Sequence, residues 1–86
     1  MTTVIAVHEI KDSEHWLASP KREELFGPLG ISVRTFLDPE NPTRAAVMLD
    51  VPDMDAFQAF MKSDDVGAAM ESDGVQADTL EMFVQA

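Results

Sequence analysis

The stretch ISVRTFLDPENPTRAAVMLDV, residues 31–51, is the strongest clue to the architecture of this chain. Residues 31–37 and 44–51 are rich in β-branched and apolar side chains, which is typical of strands. Between them, residues 38–43 combine two prolines with Asp, Asn and Thr, the composition of a hairpin loop. The sequence therefore predicts an antiparallel hairpin in the middle of the chain.

A strand and a helix are predicted before this hairpin. Residues 2–10, TTVIAVHEI, are rich in β-branched side chains without helical periodicity, which predicts the first strand. Asp12 or Ser13 can cap the helix that follows by accepting a hydrogen bond from a free backbone N–H. Proline lacks that donor, so we expect the helix to kink or restart at Ser19-Pro20, with the serine as cap. The helix ends at GPLG, residues 27–30.

A second helix and a last strand are predicted after the hairpin. Asp53 is placed to cap a helix whose apolar residues share one face, namely Met54, Phe57, Phe60 and Met61. Ser63, followed by two aspartates, predicts a second cap that opens a short turn through Met70. The Asp73-Gly74 pair ends this turn, and TLEMFV, residues 79–84, is the last strand.

The order of these elements is β-α-β-β-α-β, the ferredoxin-like pattern of the α+β class. It predicts a four-stranded antiparallel sheet with both helices on one face. The chain has 86 residues, of which 45% are hydrophobic, and this predicts a single globular domain spanning residues 1–86.

The bulk composition excludes several classes of function. Six basic against sixteen acidic side chains give a net charge of −10, which disfavours nucleic acid and anionic membranes as partners. The absence of cysteine excludes disulfides, thiolate metal sites and a cysteine nucleophile. No apolar run is long enough for a signal peptide or a membrane span, so we expect a cytoplasmic protein.

Side chains alternate between the two faces of a strand, so the predicted sheet has two distinct surfaces. One is almost wholly apolar and is the expected seat of the helices: Ile5, Val7, Ile31, Val33, Leu37, Ala45, Val47, Leu49, Leu80, Met82 and Val84. The other is mixed: Val4, Ala6, His8, Ser32, Arg34, Phe36, Ala46, Met48, Asp50, Glu81 and Phe83.

The apolar members of the mixed surface would leave a sizeable exposed patch, which usually marks an interface. We therefore expect a homodimer in which two copies stack these surfaces. At its rim, Arg34 can pair with Asp50 or Glu81. The predicted interface residues are Val4, Arg34, Phe36, Met48 and Phe83.

With this element order, the chain resembles small bacterial proteins of the dimeric α+β barrel superfamily, the group that includes antibiotic-biosynthesis-monooxygenase-like domains. The resemblance covers essentially the whole chain and rests on the segments VHEIKDSEHW, DPENPTRAAVMLDV, DMDAFQAFMKSDD and DGV, which begin at residues 7, 38, 53 and 73. It implies a dimeric α+β barrel with any ligand site in the cleft between helices and sheet. It also implies activities as different as cofactor-independent monooxygenation, haem degradation and lactone isomerisation.

The resemblance to haem-degrading members implies an axial histidine on the second helix, with asparagine and tryptophan nearby. Here the second helix has no histidine, and the first strand has His8 but no asparagine. We therefore expect no haem and no other cofactor.

His8, near the end of the first strand, is the candidate catalytic residue. A histidine in a cleft can move a proton or orient an oxygen near neutral pH. The predicted faces place it on the dimer side, where a structural or rim role is the alternative. His15 lies beside a helix cap and is expected to be solvated. The two histidines lie on different elements with no third ligand at a diagnostic spacing, so no metal site is predicted.

The candidate ligand-binding residues are Trp16, Phe57, Phe60 and Met61. An indole offers a large flat surface and one donor, and methionine side chains adapt to varied ligands. The alternative is that all four residues form the core between sheet and helices.

Two functions from different classes remain open. The first is a homodimer that binds a small apolar or aromatic molecule in the helix–sheet cleft, or has only a structural or regulatory interaction role. The second is a cofactor-independent monooxygenase or isomerase-like enzyme for a small aromatic substrate, with His8 handling the proton and Trp16 lining the pocket. The first is favoured because the predicted helix-facing side chains include no clear catalytic group.

Overall fold

The computed structural model describes all 86 residues. The strands and helices follow in the order β1 (Thr2–Ile10), α1 (Ser13–Ala18), α2 (Lys21–Phe26), β2 (Ser32–Leu37), β3 (Arg44–Val51), α3 (Met54–Met61), α4 (Asp64–Asp73) and β4 (Val75–Val84), with a 3-10 turn at Gly27–Leu29. The sheet is antiparallel throughout, in the strand order β2-β3-β1-β4. The predicted ferredoxin-like βαββαβ fold is therefore confirmed, with each helical segment divided in two.

Both helical segments begin at aspartate caps, as predicted. Asp12 accepts hydrogen bonds from the backbone N–H groups of Glu14 and His15, at 3.0 and 3.4 Å. Asp53 accepts one from the backbone N–H of Ala56 at 3.1 Å. These bonds satisfy donors that have no partner within the first turn of a helix.

The first helical segment is interrupted at Ser19-Pro20, as predicted. The Ser19 hydroxyl accepts a hydrogen bond from the backbone N–H of Lys21 at 3.3 Å, at the start of α2. The break directs α2 back toward α1, so that Nη2 of Arg22 donates to the Trp16 carbonyl at 2.7 Å.

The structure corrects the prediction around the second cap and the last strand. Ser63 precedes α4, but its Oγ is buried and makes no hydrogen bond. α4 continues past Met70 to Asp73, and β4 begins at Val75 rather than at residue 79. The physical reason is Gly74, whose φ of +76° ends the helix and turns the chain into the sheet within one residue.

The register between β1 and β3 corrects the predicted faces of β1. Val4 pairs with Leu49 and His8 pairs with Ala45, and both β3 residues are buried. Directly paired residues of antiparallel strands share a face, so the even-numbered residues 4–10 of β1 lie under the helices. The prediction of Val4 as an interface residue is wrong, because its side chain is 0% exposed beneath the helices. His8 also lies on the helix side of the sheet, and not on the side predicted.

The core lies between the helix side of the sheet and the helices. Its aromatic members come from three helices, Trp16 from α1, Phe26 from α2 and Phe57 from α3. The sheet contributes alternate residues of β1 and β3: Val4, Ala6, Ile10, Ala45, Val47, Leu49 and Val51.

The opposite side of the sheet has no helix against it and is called here the open face. Phe36 and Phe83 are exposed on it, and Met48 is half-buried. Nη2 of Arg34 lies 2.8 Å from Sδ of Met48. Within one chain, this arginine forms no ion pair with an acidic side chain. The apolar side chains of the open face are Ile5, Val7, Phe36, Ala46, Met48 and Phe83.

Candidate functional site

A cavity of about 80 Å³ lies between the sheet and the helices. Thirteen of its seventeen lining residues are hydrophobic, so a bound molecule would be surrounded mainly by apolar atoms. The polar contributors are His8 from β1, Lys21 and Arg22 from α2, and Asp73 from α4. A concave apolar space with a few polar groups is the usual form of a small-molecule site.

The sheet is irregular beside this cavity. β4 has four residues, 77–80, opposite the single residue His8 of β1. Thr79 bridges the gap, because its Oγ1 accepts from the backbone N–H of Glu9 at 2.8 Å and donates to the Gln76 carbonyl at 2.6 Å. Such irregularities bend a strand and redirect its side chains, and they are frequent beside functional sites.

His8 is the buried titratable group of the cavity. It is 5% exposed, and its Nδ1 has no hydrogen-bond partner in the protein. Burial lowers the pKa of His8 below its ordinary value; the neighbouring backbone of Glu9 opposes the shift, and the positive charge of Arg22 adds to it. The imidazole is therefore neutral at pH 7, with one N–H and one lone pair.

Trp16 brings two polar side chains to the same part of the cavity. The ring of His8 meets the indole edge-on, with centroids 5.6 Å apart and planes at 76°. Cζ of Arg22 lies 4.4 Å from the indole centroid, a cation–π contact. His8 and Arg22 are thus neighbours across the indole, although they come from β1 and α2.

Arg22 and Asp73 form the one ion pair of the chain. Nη1 of Arg22 lies 3.7 Å from Oδ2 of Asp73, which is too long for a hydrogen bond. The buried Nη1 is therefore left without a hydrogen-bond partner. Asp73 accepts instead from the Ser19 hydroxyl at 2.6 Å. Burial lowers the pKa of Arg22, the charges of Asp73 and Glu23 oppose this, and the guanidinium stays charged at pH 7.

The structure divides the predicted ligand-binding residues into two groups. Trp16 and Met61 line the cavity, whereas Phe57 and Phe60 do not. The two phenylalanines pack against Phe26, with ring centroids 6.5 and 5.8 Å away. Phe26 itself lines the cavity, so Phe57 and Phe60 support a wall residue rather than face the cavity.

Sequence reasoning missed Arg22 and Asp73. Arg22 belongs to KREEL, residues 21–25, which has the composition of a solvated helix face, and Asp73 precedes a helix-ending glycine. The available signal was the break at Ser19-Pro20, which returns the chain toward Trp16. No local pattern indicates the pairing of Arg22 with a residue from the other end of the chain.

The cavity is small but has adaptable walls. An apolar cavity of about 150 Å³ accepts benzene, so a space of about 80 Å³ is smaller than a single ring needs. Three methionines line it, Met61, Met70 and Met82. Their unbranched side chains can change rotamer and enlarge the space. A ring-sized ligand therefore requires these side chains to move.

Other candidate features lie outside the cavity. His15 is exposed, and its Nε2 lies 2.9 Å from the Ser72 carbonyl. No three His, Asp or Glu side chains lie together in a metal-binding arrangement. Even the longest helix, the ten-residue α4, lacks the length and apolarity needed to cross a membrane.

Solved structures share this fold over almost their whole length. A protein from Bordetella bronchiseptica, described provisionally as an antibiotic biosynthesis monooxygenase, has a TM-score of 0.73 and 18% identity over 99% of this chain and 94% of that chain. A protein from Nitrosomonas europaea with the same description has a TM-score of 0.70 and 13% identity, over 100% and 97% of the two chains. No protein-family model and no curated protein matches the chain. The resemblance to this group is confirmed at the level of the fold.

Proposed function

We propose that the protein binds a small, mainly apolar or aromatic molecule in the cavity beside His8. The observation that carries the proposal is the unpartnered Nδ1 of His8, buried among apolar side chains. A buried polar atom without a partner destabilises the folded state by about 1–3 kcal/mol. A ligand that supplies the missing hydrogen bond would remove this penalty and gain apolar contacts from the rest of the cavity.

A fluorescence titration tests the binding proposal, because the only tryptophan, Trp16, borders the cavity. Toluene and cyclohexanone are suitable probes, since both are small and mainly apolar. Each is expected to give a saturable change in Trp16 emission. Flat titrations with both probes would contradict the proposal.

A pair of α4 variants shows whether the signal comes from the cavity. Ala69 lines the cavity, whereas its neighbour Ala68 is exposed and does not. Ala69→Phe is expected to fill the space and abolish the saturable response, and Ala68→Phe is expected to retain it. Equal binding by both variants would place the probe elsewhere.

The same histidine supports a second function, proton abstraction from the bound molecule. A lowered pKa keeps His8 in its basic form at neutral pH, as a general base requires. An isomerase would return the proton to another atom of the substrate. In a monooxygenase-like reaction the deprotonated substrate supplies the electrons to O₂, one oxygen atom enters the product, and the other leaves as water.

Deuterium exchange separates this second function from binding. Acetophenone has exchangeable methyl protons, and the enzyme function predicts that the protein accelerates their exchange with deuterated water. His8→Gln is expected to reduce that acceleration by about 10²-fold or more. An exchange rate that the variant does not change would remove the second function and leave the binding proposal intact.

The homodimer is part of the proposal. Phe83 is 56% exposed and shares the open face with Phe36 and Met48. A contiguous apolar surface of this kind is a common mark of an interface, and a twofold dimer would cover the same surface on both copies.

A charge placed on the open face tests the dimer. Phe83→Glu is expected to shift the protein to the monomer in sedimentation velocity. Leu17→Glu is the matched control, since Leu17 is a comparably exposed apolar residue on α1. A parent protein that is monomeric at micromolar concentration would contradict the dimer, as would equal effects of the two variants.

A further inference from the structure

Two of the three buried side-chain atoms that lack a hydrogen-bond partner in this protein belong to residues that line the cavity. They are Nδ1 of His8 and Nη1 of Arg22; the third, Oγ of Ser63, belongs to a residue that does not line it. Buried polar groups almost always have partners, so two unpartnered atoms on residues that line one small cavity call for a common explanation. Both residues contact the indole of Trp16, so they are neighbours in the wall of the cavity.

The two atoms require different groups on a ligand when the neutral imidazole carries its proton on Nε2. The guanidinium has only donors, so Nη1 needs an acceptor oxygen. A neutral imidazole with its proton on Nε2 accepts at Nδ1, so this atom needs a hydroxyl or another donor. The remaining lining residues apart from Lys21 and Asp73 are hydrophobic, so the rest of the ligand is apolar.

The charges around the cavity decide between a neutral and an anionic ligand. The carboxylate of Asp73 already compensates the charge of Arg22; Asp73 is buried and Arg22 is half-buried, with side-chain exposures of 6% and 14%. A ligand carboxylate would add a second buried negative charge beside Asp73 in a protein of net charge −10. A neutral acceptor such as a carbonyl oxygen satisfies Nη1 without that repulsion.

We infer that the ligand is a neutral, mainly apolar compound with a hydroxyl and a carbonyl oxygen, the hydroxyl donating to His8 Nδ1 and the carbonyl accepting from Arg22 Nη1. This inference rests on the proposed binding function and specifies the class of molecule bound. The specificity of the site then depends on His8 and Arg22, which are 14 positions apart in the sequence and contact the same indole of Trp16.

Calorimetric titration with matched aromatic probes tests the inference. The three positional isomers of hydroxyacetophenone carry both groups at different separations, acetophenone lacks the hydroxyl, and the three hydroxybenzoates replace the carbonyl with a carboxylate. At least one hydroxyacetophenone is expected to bind about tenfold or more tightly than acetophenone, since one added hydrogen bond to a buried group has this order of effect. Every hydroxybenzoate is expected to bind more weakly than that isomer.

Variants of His8 and Arg22 test whether the tighter binding of the hydroxyacetophenone depends on these two residues. His8→Phe keeps an aromatic ring without the nitrogen, and is expected to bind acetophenone but to lose the gain from the hydroxyl. Arg22→Lys keeps the charge beside Asp73 without the forked donors, and is expected to weaken binding of acetophenone and of the best hydroxyacetophenone alike. Lys62→Met, a change at an exposed lysine that does not line the cavity, is expected to leave the ranking of the probes unchanged.

The outcomes separate this inference from the proposed function. If acetophenone binds but no hydroxyacetophenone binds more tightly, or if a hydroxybenzoate binds best, the inference is overturned while the binding function stands. A gain that persists in His8→Phe also overturns it. If no probe binds, the proposed function fails and the inference fails with it.

Discussion

The imidazole of His8 loses most of its hydration on folding and gains no acidic partner. Folding destabilises its protonated form, because a buried charge needs a compensating group and the charged side chain that acts on it, Arg22, is also positive. The same residue therefore affects the stability of the protein as well as the proposed binding. Its lowered pKa makes the folded state disfavour the proton that the unfolded chain takes up readily.

We expect stability to fall as the pH is lowered through the His8 transition. Unfolded His8 is protonated below about pH 6.5, whereas folded His8 stays neutral until its lowered pKa is reached. Between these two values the unfolded state binds more protons, so the free energy of unfolding decreases with falling pH, by at most about 1.4 kcal/mol per pH unit. Above about pH 6.5 both states are neutral at this site and the contribution is constant.

Urea denaturation of the parent and of His8→Gln across this pH range measures the effect. The variant is expected to lose less stability on acidification than the parent. His15→Gln, which alters the exposed histidine, is expected to keep the contribution of His8. Identical pH dependence in the parent and His8→Gln would contradict the assignment.

The helices of this protein are short, so interactions at their ends contribute a large share of their stability. α3 has eight residues, and its Asp53 cap accepts a hydrogen bond that the helix itself cannot supply. α4 ends at a glycine with a left-handed conformation, immediately before a strand. Isolated helices of this length are marginal, so caps and packing against the sheet must stabilise them.

Removing the Asp53 cap is expected to destabilise the protein. Asp53→Ala leaves the Ala56 N–H without its partner, and the expected loss is about 1 kcal/mol in the free energy of unfolding by urea. Asp55→Ala changes an exposed aspartate of the same helix whose side chain makes no capping bond. Its effect is expected to be within about 0.5 kcal/mol, and an equal effect of both substitutions would refute the capping role.

Alanine substitutions at two glycines of the α4 region are expected to change the stability of the protein in opposite directions. Gly74 has φ of +76°, and an added Cβ would lie 3.4 Å from Cβ of Lys11, so Gly74→Ala is expected to destabilise by about 1 kcal/mol or more. Gly67 lies inside α4 with open space around it, so Gly67→Ala is expected to stabilise by about 0.5–1 kcal/mol. Thermal unfolding of the two variants checks both signs. A stabilised Gly74→Ala would contradict the strained conformation.

At the scale of the whole molecule, an apolar open face coexists with a net charge of −10. Apolar burial favours association of two copies, whereas their like charges oppose it. The balance between these terms depends on salt, because screening weakens repulsion between exposed charges while leaving apolar contact in place.

We expect the proposed dimer to become tighter as ionic strength rises. Sedimentation velocity at low salt and at about 0.5 M NaCl measures this, since the Debye length falls to a few Å over that range. The ratio of dimer to monomer should increase with salt. A decrease would indicate that ion pairs, such as Arg34 with an acidic residue of the second copy, dominate the interface.

Local chemistry was enough to predict the elements of the fold. Residues 2–10 and 44–51 are strands as predicted, Asp12 and Asp53 are caps, and the chain breaks at Ser19-Pro20. Each of these features depends on residues within a few positions of one another, through β-branching, a capping side chain or a missing N–H. The roles of residues in binding, catalysis and dimerisation stay predictions.

Only the tertiary structure decided which residues of β1 meet the helices. Residues 4–7, VIAV, are all apolar, so their pattern has no alternation, and a register shift of one residue exchanges the two faces. Pairing of Val4 with Leu49 settled the choice and brought His8 under the helices. The meeting of His8 with Arg22, and of Arg22 with Asp73, likewise depends on contacts between distant segments that no local pattern encodes.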